Sequence, residues 1–101
     1  MKFHEMPSPA LAAVDRDKTV VLLPIAAVEQ HGPHLPTGTD TIICGAVSEA
    51  VEARNRDSVL LLPVQWLGAS AHRLRFGATM TAELSTYIST LCEMARAPLE
   101  D

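Results

Sequence analysis

Two carboxylates and two imidazoles fall within a twelve-residue stretch of this chain: Glu29, His31, His34 and Asp40. Carboxylate oxygen and imidazole nitrogen together suit a divalent ion such as Zn²⁺ or Mn²⁺. Glu29 and His31 are two residues apart, so in an extended segment their side chains face the same way. Asp40 follows nine residues after His31, across a stretch punctuated by Gly32, Pro33, Pro36 and Gly38 that can fold back on itself. A carboxylate has two oxygens, so Asp40 could bridge a pair of metals. A plainer reading stands beside this one. An Asp ahead of an apolar helix commonly serves as its N-cap, and a loop His is commonly solvated. His34 suits packing or support of the loop better than ligation. His72 could reach the rim of such a site or simply bond to backbone. Ser70 has no base partner near it in sequence, which disfavours a serine nucleophile.

The elements that would have to position these groups can be read from the apolar pattern. Thr19 to Leu23 and Val59 to Leu62 are continuous β-branched or Leu-rich runs without alternation, as expected of strands buried on both faces. Thr41 to Ala53 reads as a helix whose stripe of Ile43, Val47, Ala50 and Val51 should face a core, with Thr39 or Asp40 capping its start. Gln65 to Ala78 is rich in small residues and reads as loop. Thr81 to Ala95 is a second helix, with Leu84, Tyr87, Ile88, Leu91 and Met94 on one side as core packing and Pro98 just past its end. The order strand, loop, helix, strand, loop, helix is an α/β alternation, for which a parallel sheet is the default. The Glu29 to Asp40 loop leaves the carboxyl end of the first strand, where ligand sites of such sheets lie. Two strands do not make an independent sheet, so either the N-terminal segment or a further C-terminal portion must complete it.

Size and charge narrow the function classes. A chain of 101 residues is enough for one small domain, 1–101, with a thin stability margin. Its formal net charge of −4, with Arg73 and Arg75 as the nearest thing to a basic cluster, argues against a nucleic-acid partner. The most apolar stretch, Val20 to Val28, is broken by Pro24 and too short to span a bilayer. No signal-peptide core precedes it, so a soluble cytoplasmic protein without a membrane partner is expected. Cys44 and Cys92 lie far apart in apolar-periodic segments and are expected to be buried free thiols.

The segment Leu23-Pro24-Ile25-Ala26-Ala27-Val28-Glu29-Gln30-His31-Gly32-Pro33-His34-Leu35-Pro36, followed by Gly38-Thr39-Asp40, resembles the signature of the creatininase (creatinine amidohydrolase) family. A weaker likeness, Gly68-Ala69-Ser70-Ala71-His72 followed by Phe76 and Thr79, resembles the family's Gly-x-Ser-x-His segment and the Phe-Pro-Gly-Thr turn after it. The resemblance implies a layered α/β fold, with mainly parallel strands flanked by helices. It implies a metal-dependent amidohydrolase that cleaves an amide C–N bond of a small substrate by a metal-activated water. It also implies a two-metal zinc or manganese centre and a homo-oligomeric assembly. Carried over by position, Glu29 would ligate one metal, His31 the other, and Asp40 would bridge them, with His72 on the substrate side. Two departures stand out. Gly77-Ala78 replaces the family's Pro-Gly, and the family's later Asn-x-His segment, which supplies further ligands, has no counterpart here. The chain is therefore expected to be the front part of such a domain, C-terminally incomplete. The alternative to an enzyme is a non-catalytic remnant, or a split half that needs a partner chain to complete the metal site.

Overall fold

Pro24 and Pro63 have no N–H to give to a ladder, so each apolar run can pair only over the residues before its proline. In a computed structural model of the chain, which describes residues 1–100, the strands are accordingly short: β1 spans Val20–Leu22 and β2 spans Val59–Leu61. They pair in parallel, Val20 with Val59, Val21 with Leu60 and Leu22 with Leu61. A parallel pair needs a crossover rather than a hairpin. It is supplied by helix α2 (Thr39–Arg54), which follows the shorter α1 (Ser8–Ala12), while α3 (Leu84–Glu100) closes the chain. The fold is therefore α/β with a parallel sheet, as the element order predicts.

Past the strands the two chains stay side by side. Gln65 N–H donates to the Pro24 carbonyl and Ala26 N–H to the Gln65 carbonyl, each at 2.9 Å. The loop that begins at Ala26 thus leaves the sheet next to the segment that follows β2. That segment is not wholly irregular: Ala71–Phe76 forms 3₁₀ turns where the sequence reads as loop. Helix α3 starts three residues later and ends five residues later than the apolar pattern suggests, and Pro98 lies inside its last turn rather than beyond it. Pro98 has no N–H to give to the Met94 carbonyl, so the last turn lacks one helix bond. Arg16 there donates to the Pro98 and Leu99 carbonyls, at 3.2 and 2.7 Å.

The N-terminal segment extends the sheet on the β2 side. Lys2 bridges to Leu61, and Leu61 N–H donates to the Met1 carbonyl at 2.8 Å. The Met1 ammonium lies 2.7 Å from an Oε1 of buried Glu52 on α2 and also donates to the Val59 carbonyl at 3.1 Å. The hydrogen bond from that ammonium, helped by the charges of the ammonium, Arg56 and Lys2, holds the Glu52 carboxyl below its ordinary value against the opposing effect of burial. On the other side, β1 is an edge. Val20 N–H and the Leu22 carbonyl bond toward β2, so the backbone groups of Val21 face outward, with no strand beside them among the described residues.

The core is small. Leu60, Leu61 and Leu62 are its buried apolar residues, so β2 is the buried strand and β1 only half so, with Val20 exposed. Helix α2 corrects the sequence reading. Its buried residues are Ser48 and Glu52, and Gly45 approaches Val64, while Ile43, Val47 and Val51 of the expected core stripe face outward together with Ile42. The reason lies in what β2 offers: the Met1 ammonium draws Glu52 inward and small residues allow the close approach. On α3, Tyr87, Leu91 and Met94 are half-buried but Leu84 and Ile88 are exposed. Both cysteines are free, yet Cys44 is only half-buried and Cys92 is exposed, contrary to the expectation of buried thiols. Among the described residues, no helix is long and apolar enough to cross a membrane.

The accessible surface is 6645 Å². A folded monomer of this mass exposes about 5,600 Å² by the usual scaling. The radius of gyration, 15.5 Å, likewise exceeds the roughly 13 Å of a compact chain of this length. Exposed apolar residues on α2 (Ile42, Ile43, Val47, Val51), on β1 (Val20) and on α3 (Leu84, Ile88, Leu99) contribute to that surface.

Candidate metal centre

Glu29 and His31 lie on the extended segment that prolongs β1, and Asp40 lies in the first turn of α2. Folding brings one ligand atom from each to within 4.8 Å of the others, all three residues being half-buried. Asp40 is not a cap. The N-cap position is Gly38, with no side-chain cap bond, and Thr39 turns its hydroxyl to the Pro36 carbonyl. The carboxylate of Asp40 is thereby left for the cluster, at the helix end where a negative charge is favoured.

The imidazole of His31 is oriented from both sides. Its Nδ1 lies 2.9 Å from the Glu29 carbonyl oxygen. A carbonyl can only accept, so Nδ1 donates there, which leaves Nε2 as the ring atom turned toward the cluster, the orientation found in metal-binding histidines. Nε2 lies 3.5 Å from Asp40 Oδ1. An imidazole nitrogen and a carboxylate oxygen at that distance are suited to share one cation, a proton or a metal ion. The donor set, two carboxylates and one imidazole, fits a divalent metal ion.

The surrounding backbone is held by three threonines. Thr41 Oγ1 donates to the Ala27 carbonyl at 2.6 Å, joining the first turn of α2 to the prolonged strand. Glu29 N–H donates to the Thr37 carbonyl at 3.0 Å. Gln30 N–H donates to Thr79 Oγ1 at 3.0 Å, and Met80 N–H to the Val28 carbonyl at 2.9 Å. Sequence reasoning did not give roles to these threonines, because each acts across the fold and Thr79 is 49 residues from its partner. The likeness of Phe76 and Thr79 to a family turn was the one signal that touched the position.

The other candidates lie apart from the cluster. His34 is exposed at the loop tip. His72 is exposed on the 3₁₀ segment and contributes no atom to the group of three. Ser70 is buried, and its N–H donates to Thr81 Oγ1 at 2.8 Å. A shallow apolar groove lined by Ile25, Ile43, Val47 and Tyr87 includes Asp40 in its wall.

Parallel strands joined through a helix, with a carboxylate–imidazole cluster beyond their carboxyl ends, define an α/β protein of the kind that binds ligands at strand ends. The family model of creatininase, described as creatinine amidohydrolase, matches residues 4–100. The chain belongs to the creatininase family. Its relatives include mycofactocin precursor peptide peptidases. That of Mycobacterium tuberculosis (strain CDC 1551 / Oshkosh) is 34% identical over 85 residues, covering 76% of this chain and 34% of the relative. That of Mycolicibacterium smegmatis is 37% identical over 83 residues, covering 77% and 33%. The structure of a mutant creatininase superposes with a TM-score of 0.79 at 26% identity, covering 94% of this chain and 38% of that one. The chain thus spans about a third of the length of the curated relatives it matches.

Proposed function

We propose that this chain provides the metal-binding front of a creatininase-type amidohydrolase, in which Glu29, His31 and Asp40 hold a divalent ion. The observation that carries this reading is the convergence of one ligand atom each from Glu29, His31 and Asp40 to within 4.8 Å of one another, with Nδ1 of His31 already engaged. A zinc or manganese ion, when bound, supplies Lewis acidity toward a carbonyl oxygen and lowers the pKa of water. The chain's own residues do the rest of what can be assigned to it. Two carboxylates offset the charge of the ion, Asp40 has a second oxygen for a second ion, and the Glu29 carbonyl holds the imidazole in its orientation. The substrate class is an amide C–N bond in a small molecule or a peptide, the chemistry shared by the names of the family and of the peptidase relatives. The test is Zn²⁺ titration of the purified chain beside Glu29→Ala, His31→Ala and Asp40→Ala. The reading requires each substitution to weaken binding at least tenfold; equal binding by all four proteins would overturn it.

A second reading concerns completeness of the site, and the open edge of β1 favours it. Three ligands serve a two-metal centre poorly. The surplus surface, about 1,000 Å² over the scaling value, is comparable to one partner's share of a standard interface, about 800 Å². A polypeptide equivalent to the remaining two-thirds of a creatininase domain would pair with β1, cover Ile43 and Val47, and bring further ligands to the cluster. Coexpression of the two pieces should give a complex with amide-hydrolase activity that Ile43→Lys plus Val47→Lys abolishes. Full turnover by the 101-residue chain alone with added Zn²⁺ or Mn²⁺ would refute this second reading.

A further inference from the structure

Gln30 N–H and the Glu29 carbonyl belong to one peptide unit. Because that unit is planar and trans, its N–H and C=O point in opposite directions and turn together. On one side the N–H is held by Thr79 Oγ1 at 3.0 Å. On the other the C=O accepts Nδ1–H of His31 at 2.9 Å. Thr79 is itself directed, since its hydroxyl donates to the Gly77 carbonyl at 3.1 Å and so presents a lone pair to Gln30. The result is a hydrogen-bond chain with a single sense: from His31 Nδ1 to the Glu29 carbonyl, through the peptide to Gln30 N–H, to Thr79 Oγ1, to the Gly77 carbonyl. Each link polarises the next. The ring that starts it turns its other nitrogen, Nε2, toward Asp40 at 3.5 Å.

We infer that Thr79 is a positioning residue for the metal centre, which sets the tautomer and ring orientation of His31 through the Glu29–Gln30 peptide plane. This inference rests on the reading of Glu29, His31 and Asp40 as metal ligands. Without the Thr79 hydroxyl, the peptide loses its anchor on the N–H side and is free to turn. The Glu29 carbonyl then leaves Nδ1, the hydrogen redistributes to Nε2, and the nitrogen that should meet the ion is blocked. The neighbouring Met80-to-Val28 bond is backbone to backbone and persists in a Thr79 variant, so the segment keeps its place while one plane is released.

The experiment follows the His31 tautomer by long-range ¹H–¹⁵N correlation in the metal-free chain, at roughly pH 8, above the usual imidazole pKa of about 6.5. It is paired with Zn²⁺ calorimetry on the same samples. The parent chain and Thr79→Ser should both show the Nδ1–H form and bind Zn²⁺ within about threefold of each other. Thr79→Val should shift toward the Nε2–H form and bind Zn²⁺ some 10–100-fold more weakly, the usual effect of losing a group that orients a ligand. Thr81→Val is the control for loosening of the same segment, because Thr81 Oγ1 serves Ser70 and not the ligand loop; it should leave both readouts unchanged. An unaltered tautomer in Thr79→Val, or an equal shift in Thr81→Val, would overturn the inference. Loss of Zn²⁺ binding in Glu29→Ala and Asp40→Ala with none in Thr79→Val would leave the metal site standing and remove Thr79 from it. A Thr79-dependent tautomer in a chain that binds no Zn²⁺ would do the reverse.

Discussion

Beside Thr79, Ala78 stands with φ +48°, the one described non-glycine residue with positive φ. It occupies the position at which the family turn has glycine. A left-handed alanine costs roughly 1–2 kcal/mol, part of which glycine returns through its own greater loss of freedom on folding. Ala78→Gly should therefore stabilise the chain by about 1 kcal/mol, raising Tm by about 4–8 °C, in a thermal melt followed by circular dichroism. Gly77, at φ 72° and ψ −175°, lies where only glycine is at ease, so Gly77→Ala should lower stability by about 1–3 kcal/mol. No atom lies near the added methyl, so that loss would be backbone strain and nothing else. At this scale the three residues that the fold gathers were legible in the sequence: Glu29, His31 and Asp40 stand out by chemistry and by a loop at a strand end. Their supports were not. Thr79 reaches Gln30 through a contact that exists only once two distant segments lie side by side, and no local pattern encodes it.

Among the elements, α2 shows how a correct helix can be turned the wrong way. The stripe of Ile43, Val47 and Val51 obeys the amphipathic rule, yet the face against β2 carries Gly45, Ser48 and Glu52. Periodicity reports which face is apolar. It does not report whether the apolar face meets the elements present or ones elsewhere. Substituting Ile43 and Val47 together by Lys should accordingly change the stability of the isolated chain by no more than about 0.5 kcal/mol each, read from urea unfolding. Leu61→Ala, in the buried strand, should cost about 2–5 kcal/mol. The Glu52 contact makes stability depend on pH with a definite sign. Its folded carboxyl sits below the ordinary value, so the stabilisation is fully present above the unfolded pKa of about 4.3. It is lost as pH falls through the folded value, when the acid form no longer attracts the Met1 ammonium. The urea midpoint of the parent chain should drop on acidification below about pH 4.3 more steeply than that of Glu52→Gln; parallel curves would contradict the ion pair.

For the molecule as a whole, three buried leucines against 6645 Å² of exposed surface imply a folded state that leans on anything able to bind it. A Zn²⁺ ion at 100 times its Kd would add about 2.7 kcal/mol by mass action, a large share of a margin that small domains keep narrow. A rise in Tm with Zn²⁺ that is absent in Asp40→Ala is the expected result. The overall class, a parallel α/β arrangement, was readable from element order alone, because two unbroken apolar runs separated by a helix leave few alternatives. The extent of exposed apolar surface was not readable, since it depends on which neighbours each face finds. The unpaired edge of β1 carries one more consequence. The run Thr19 to Leu23 that holds β1 contains no charge, and an open edge strand of that kind is a template for pairing with another chain. The run Asp15-Arg16-Asp17-Lys18 stands immediately before it, charged residues where gatekeepers against aggregation are commonly placed. Replacing Asp15, Asp17 and Lys18 by Ser, with Arg16 kept for its bonds to the end of α3, should leave the fold intact and shorten the lag before thioflavin-positive aggregates form, so that the colloidal fate of this chain is decided by residues that take no part in its chemistry.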